Sequence, residues 1–330
     1  MKAVQMSETG GPDVLKYIDL PTPRPGPFEV LVKAHAIGVC MPETLVRKGV
    51  YKWMPPLPLI PGIEMSGTVV EVGSGTSKLR VGQTVFACAR EFKERSGCYA
   101  EYLVAREELL YALPEGIDLD QVAGLANYQV AWHLLNSALN GHHYETALVV
   151  AAAGGVGTAL VQLAKAAGKK VIGVVSSDAR GAFARAQGAD AVIDRNHGNL
   201  VDQVKQLTDG KGVDLVLDSV GGAHMTDYFN GVARFGLLML YGRLDGAPTG
   251  NIDAAIERPP WHSAGYRHFT MHTLDDWPEL RARCTHDLIR LLHAGTIQVP
   301  IYERIPLAEA ARAHRVFESG QVMGKLIMKP

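Results

Sequence analysis

Cysteine is scarce: there are four in 330 residues, at positions 40, 88, 98 and 284. They form no spaced framework. That excludes a disulfide scaffold and is consistent with reduced thiols in a cytoplasmic protein. Long apolar runs are lacking as well. None reaches the roughly 18 residues of a membrane-spanning helix. The opening MKAVQMSETGGPDVLKY has no apolar core and does not read as a signal peptide. Neither sign of charge is in excess, since 33 Lys and Arg face 34 Asp and Glu for a formal net charge of -1. With no basic tract, nothing offers a footprint for nucleic acid or an anionic membrane surface. Repeats and low-complexity linkers are absent too. What remains is a composition with 47% hydrophobic and 20% charged residues, ordinary for a globular enzyme. The length exceeds what one core usually supports, so two domains are expected.

The first 120 residues or so read as strands and turns. FEVLVKAHAIGV is β-rich, and GTVVEVGSGTSKLRVGQTVFACA is broken by glycine-containing turns, so a compact barrel-like β module with little helix is expected. The rhythm changes near Leu125. ALVVAAAGGVG is a buried strand running into glycines, and VGTALVQLAKAAG repeats apolar residues at helical spacing. KVIGVVSS, AVID, VDLVLDSVGG and GLLMLYG follow as strands, separated by helices at DARGAFARAQGA, LVDQVKQLTDG and HMTDYFNGVA. Strands that are apolar throughout, in strict alternation with helices, predict a doubly wound parallel sheet covered on both faces. The tail reads as a long helix, LDDWPELRARCTHDLIRLLHAG, then strand, helix and strand. That last unit either extends the parallel sheet or returns to the first module.

AAAGGVG places Gly154, Gly155, Val156 and Gly157 between a strand and a helix. A pyrophosphate must approach the backbone there, and the helix N-terminus offers free N–H groups and the positive end of its dipole. In the usual G-x-G-x-x-G fingerprint the first position is Ala152 here, while Gly154 and Gly157 supply the other two. An acid that binds the adenosine ribose is expected about 20 residues on. Ser176 and Ser177 stand there instead, with Arg180 shortly after. Hydroxyls and a guanidinium suit a 2′-phosphate, so NADP is expected rather than NAD. Gly242, at the end of GLLMLYG, is a further cofactor-side position.

PLIPGIEMSGTVVEVG poses a separate question, because Glu64 is a lone carboxylate among apolar and small residues. As a metal ligand, a catalytic acid, or a charge held inside by a partner, it needs compensation. An unpaired buried charge is too costly.

Together these motifs resemble the zinc-independent medium-chain dehydrogenases/reductases of the quinone oxidoreductase (zeta-crystallin-like) group. AAAGGVGTALVQLAKAAG is similar to the family's A-x-x-G-x-x-G turn and helix. PGIEMSGTVVEVG, DGKGVDLVLDSVGG and IPLAEAARAHRVFESGQVMGKLIM fall in the family's order and spacing. The resemblance implies a GroES-like catalytic domain over residues 1–123, completed by 271–330, and a Rossmann NADP-binding domain over 124–270. It also implies an active site between them and a homodimer or homotetramer. Zinc-dependent relatives carry Gly-His-Glu where this chain has Gly62-Ile63-Glu64, and isoleucine cannot coordinate metal. Cys40 stands at another ligand position, but one thiol falls short of the three protein ligands a catalytic zinc needs. Glu64 is therefore expected to be a buried carboxylate held by a basic group or backbone N–H groups. The group usually has Asn where Cys40 stands, beside the nicotinamide. LVRKGVYKWMPPLPLIPG resembles the substrate-side loop, which makes Tyr51 and Arg47 candidates to face the substrate alongside Cys40. Trp53 and Met54 would form an apolar mouth, to which Tyr128, Trp132, Trp261 and Tyr266 are candidate additions. The implied activity is metal-free hydride transfer from NADPH to a quinone or an α,β-unsaturated carbonyl. Zinc retained through unusual ligands and a non-catalytic NADPH-binding protein are the alternatives.

Overall fold

Short runs of alternating burial shape the N-terminal part of the chain in a computed structural model that describes residues 1–257 and 262–330. β1 (Lys2–Gln5) pairs antiparallel with β2 (Lys16–Asp19). β3 (Glu29–Val39) is eleven residues long, and its Val30, Val32 and Ile37 are fully buried. Helix α1 (Met41–Arg47) follows at once, with Cys40 as its N-cap and Pro42 in the first turn. Proline costs no hydrogen bond there. α1 corrects the expectation of strands and turns. Its buried side chains include Glu43, Thr44 and Arg47 beside Val46, so no apolar stripe announces it. β4 (Glu64–Val72), β5 (Thr84–Cys88), β6 (Tyr102–Arg106) and β7 (Leu110–Ala112) come next, then α2 (Leu119–Val122) and α3 (Leu125–Leu135). β3, β4, β5 and β7 lie side by side antiparallel, and β6 also pairs with β3.

The middle of the chain alternates strand and helix. β8 (Thr146–Val150), α4 (Gly155–Ala166), β9 (Lys170–Val175), α5 (Asp178–Ala186), β10 (Ala191–Asp194), α6 (Leu200–Leu207) and β11 (Val213–Asp218) follow one another. β12 (Val232–Leu240), α7 (Ile252–Ile256) and β13 (Gly265–His268) close the series. All pairings are parallel, in the order β10-β9-β8-β11-β12-β13. The order reverses between β8 and β11, which marks the doubly wound switch point where ligands sit in such sheets. Two details differ from the sequence reading. HMTDYFNGVA forms a 3-10 helix, Met225–Gly231, and β12 starts at Val232, ahead of GLLMLYG. Thr226, Asn230 and Gly231 have weak α propensity, which suits the tighter turn.

α8 (Pro278–His293), β14 (Ile301–Pro306), α9 (Ala310–Glu318) and β15 (Lys325–Lys329) complete the chain. The tail returns to the first sheet. β15 runs antiparallel to β3 with Leu326 opposite Val39, and β14 lies parallel outside it. By contact density the chain divides into Met1–Asn127 with Thr285–Pro330, and Tyr128–Cys284.

Candidate active site

The register of β15 on β3 decides the centre of the first unit. Leu326 opposite Val39 brings Lys325 beside Cys40, and Glu64 opens the neighbouring strand β4. Lys325 Nζ donates to Cys40 Sγ at 2.9 Å and to the Glu64 carboxylate. Glu64 also accepts from Ala126 N at 2.7 Å and from the Cys40 thiol at 3.1 Å. Cys40, Glu64 and Lys325 are 3%, 0% and 2% exposed. The carboxylate in the apolar stretch is thus held by a basic group and a backbone N–H. A Cβ on Gly38 would collide with it and with Ala123 O, so only glycine fits beneath. Burial disfavours the Lys325 ammonium, but Cys40 and Glu64 outweigh it and push its pKa up. Burial likewise pushes the Cys40 thiol well above its ordinary range, despite Lys325.

α1 points two further charges inward. Glu43 Oε1 accepts from Ile63 N at 3.1 Å, while its buried Oε2 has no partner. Burial pushes this carboxyl up to about 7, against the pull of Lys325. Arg47 corrects the expectation of a substrate-facing guanidinium. It is 1% exposed, and donates to Gly10 O at 2.7 Å, Glu318 Oε2 at 2.7 Å and His314 Nδ1 at 3.2 Å. α9 supplies two of these partners, His314 and Glu318. His314 Nε2 in turn meets Tyr99 Oη at 3.1 Å, and burial, then Arg47, lower the His314 pKa to about 4.

Tyr51 lies half-buried against the same core. With Glu43, Pro61, Ile63, Arg90 and Arg95 it lines a solvent-open pocket within the first unit. Trp53 is 48% exposed with the Arg95 guanidinium over its ring, and Met54 packs on the core. Of the aromatic additions, Tyr128 and Trp132 are core residues of the second unit, 1% and 8% exposed. The Tyr128 hydroxyl donates to Gln162. Tyr266 is half-buried on β13, and Trp261 lies outside the described residues.

In the second unit the chain leaves β8 through Ala151, which takes a positive φ of 57°. Gly154 caps α4, and its N–H donates to Ala151 O at 2.9 Å. A Cβ on Gly157 would collide with Ala151 O, so the third glycine lets the helix approach the strand. The first-turn N–H groups of Gly155, Val156 and Gly157 have no partner within the helix. This is a cradle fit for a pyrophosphate. Gly242 likewise stands where a Cβ would press on Ser219 O, just beyond β11 and β12. At the end of β9, Ser177 caps α5 and accepts from Arg180 N at 3.4 Å. Sequence reasoning missed two neighbours. Asp194 pairs with Val175, so Arg195 and Asn196 follow alongside the serines. Arg195 N donates to Val175 O, and Asn196 Nδ2 to Ser176 O at 2.9 Å. Lys325 was missed too, because nothing local links it to Glu64. The donor set fits NADPH, with backbone N–H groups for the pyrophosphate and two guanidinium groups near the second strand end.

Among the described residues no group of three or more His, Cys, Asp or Glu is placed to hold a metal, and no helix is long and apolar enough to cross a membrane. Residues 26–115 match the alcohol dehydrogenase GroES-like domain, and residues 155–284 the domain described as zinc-binding dehydrogenase. The chain is 37% identical to a quinone oxidoreductase of Pseudomonas aeruginosa, over 100% of this chain and 99% of the relative. Escherichia coli quinone oxidoreductase complexed with NADPH superposes with a TM-score of 0.88 at 30% identity, with both chains fully covered. An NAD-dependent alcohol dehydrogenase gives 0.89 at 29% identity, again over both full chains.

Proposed function

The chain belongs to the zinc-independent quinone oxidoreductases of the medium-chain dehydrogenase/reductase family, and we propose that it reduces a quinone or an α,β-unsaturated carbonyl with NADPH and without metal. The observation that carries the metal-free reading is the Lys325 ammonium. It occupies the donor atoms of Cys40 and Glu64, while Ile63 offers none. A fixed cation stands against the two side chains that a metal would have to recruit.

When bound, NADPH supplies a hydride to the electron-poor carbon of the substrate. Tyr51 donates a hydrogen bond to the substrate oxygen as negative charge develops on it. Trp53 and Met54 form an apolar wall for a flat substrate. Cys40 remains a protonated thiol beside Lys325, and Arg47 serves the fold. Water delivers the final proton. The backbone of Gly154, Gly155, Val156 and Gly157 holds the pyrophosphate, and Gly242 leaves room at the neighbouring strand ends. Ser176, Ser177 and Arg180, joined by Arg195, meet the 2′-phosphate. The protein works as a cytoplasmic homodimer or homotetramer, which light scattering of the purified protein checks for assembly.

The test is NADPH oxidation with a panel of quinones and enones, run with and without a strong chelator. Turnover of at least one compound, indifferent to chelator, is expected. Activity that a chelator abolishes and zinc restores would sink the proposal.

A further inference from the structure

The pocket beside Tyr51 carries more positive charge than reduction of a neutral quinone requires. Arg90 and Arg95 both line it, half-buried, from the loop that follows β5. The Arg90 side chain has no hydrogen-bond or ion-pair partner among the described residues. A half-buried guanidinium with no partner in the chain keeps its donors open to an anion from outside. Arg95 is held in the left-handed region at a φ of 49° and stacks over Trp53, 5.6 Å from the ring centre. That orientation keeps its charge at the same opening. Glu43 is the carboxyl that lines the pocket, and its orphaned Oε2 is buried. Burial keeps it in the acid form up to about pH 7, so it does not cancel the arginines.

Resting on the reductase reading above, we propose that this pocket selects substrates bearing a carboxylate, with Arg90 as the residue that sets the specificity. The planar fork of a guanidinium matches a carboxylate through paired hydrogen bonds. With the carboxylate at Arg90 and Arg95, the reacting carbonyl lies toward Tyr51. The substrate class is an enone or quinone acid. Arg90 acts through binding alone and takes no part in hydride or proton transfer.

Two measurements separate this proposal from the reading it rests on. The first is kcat/KM for benzoylacrylate and for its methyl ester, with NADPH saturating. The second is calorimetric titration with benzoylpropionate and its methyl ester in the absence of cofactor, which needs no turnover. The parent protein should favour each acid over its ester by about tenfold, the worth of one charge-assisted contact at a half-exposed site. Arg90→Ala should abolish that preference while leaving the esters and the Kd for NADPH unchanged, and Arg90→Lys should restore part of it. Acid and ester treated alike by the parent protein overturn the proposal. So does an Arg90→Ala variant that loses both equally, or one that loses NADPH as strongly as the acid. If calorimetry shows the Arg90-dependent preference but neither enone consumes NADPH, the reductase reading fails and the carboxylate pocket stands. If the ester turns over and the acid gains nothing, the reverse holds.

Discussion

Lys325 and Glu64 form a buried ion pair across 261 positions of sequence, between the first residues of β15 and β4. The pair joins the C-terminal strand to the N-terminal sheet at the point where α1 begins. Its attraction has to offset the desolvation of both charges. Removing one partner therefore leaves an uncompensated charge in the core. Lys325→Met should cost about 3–5 kcal/mol in denaturant unfolding. The double variant Lys325→Met with Glu64→Gln should recover much of that loss, because no charge remains to be paired. A single variant within about 1 kcal/mol of the parent would mean that water reaches the pair.

Glu43 links stability to pH. Burial raises its pKa to about 7 in the fold, while the unfolded chain titrates in the ordinary carboxylate range. The folded state then holds the proton more tightly between those limits, so this group lowers stability as pH rises through about 7. Glu43→Gln keeps the acceptor for Ile63 N and removes the titration. It should stabilise the protein by roughly 1–3 kcal/mol at pH 8.5 and have little effect at pH 4.5. His314 works in the other direction. Its folded pKa of about 4 lies below the unfolded value, so its contribution is present above about pH 6.5 and is lost as pH falls towards 4. Melting temperatures of parent and Glu43→Gln across this range give the check. A stabilisation that does not grow with pH would show Glu43 to be solvated.

The cofactor end yields a third expectation. NADPH should bind more tightly than NADH. Arg180→Ala and Arg195→Ala should each narrow the gap by about 1.5–3 kcal/mol, one charge-assisted hydrogen bond to phosphate. Fluorescence titration with both nucleotides measures it. Equal affinity for NADH and NADPH in the parent protein would remove the 2′-phosphate assignment. Gly157→Ala, which sets a Cβ against Ala151 O, should weaken both nucleotides alike.

The parallel sheet was legible because its strands are apolar along their whole length, and the glycine turn because its spacing is local. Helix α1 was hidden by its buried polar side chains. Arg47 and Tyr51 look equivalent in the loop sequence, yet one is sealed under α9 and the other lines a pocket. That difference depends on residues 314 and 318, which local pattern cannot connect to position 47. Lys325 escaped notice for the same reason. A lysine opening an apolar strand looks like a solvated end until the β15–β3 register places it beside Cys40.

Tyr51 carries the final prediction, and Cys40 is its control. If the phenol hydrogen-bonds the substrate oxygen, the bond strengthens as hydride addition places charge there. Tyr51→Phe should then lower kcat and kcat/KM together, by about 10–100-fold, with the Kd for NADPH unchanged. A rise in KM alone would mark Tyr51 as a ground-state contact, and unchanged kinetics would place it away from the reacting atoms. Cys40 caps the N-terminus of α1 and is 3% exposed, with its thiol pKa pushed up by burial. A thiol reagent attacks the thiolate, so Cys40 should label slowly in the folded protein and quickly after denaturation, and Cys40→Ser should change kcat little. Fast labelling of Cys40 in the native enzyme, blocked by NADPH, would instead move the thiol into the cofactor's path and give it the role assigned here to the phenol.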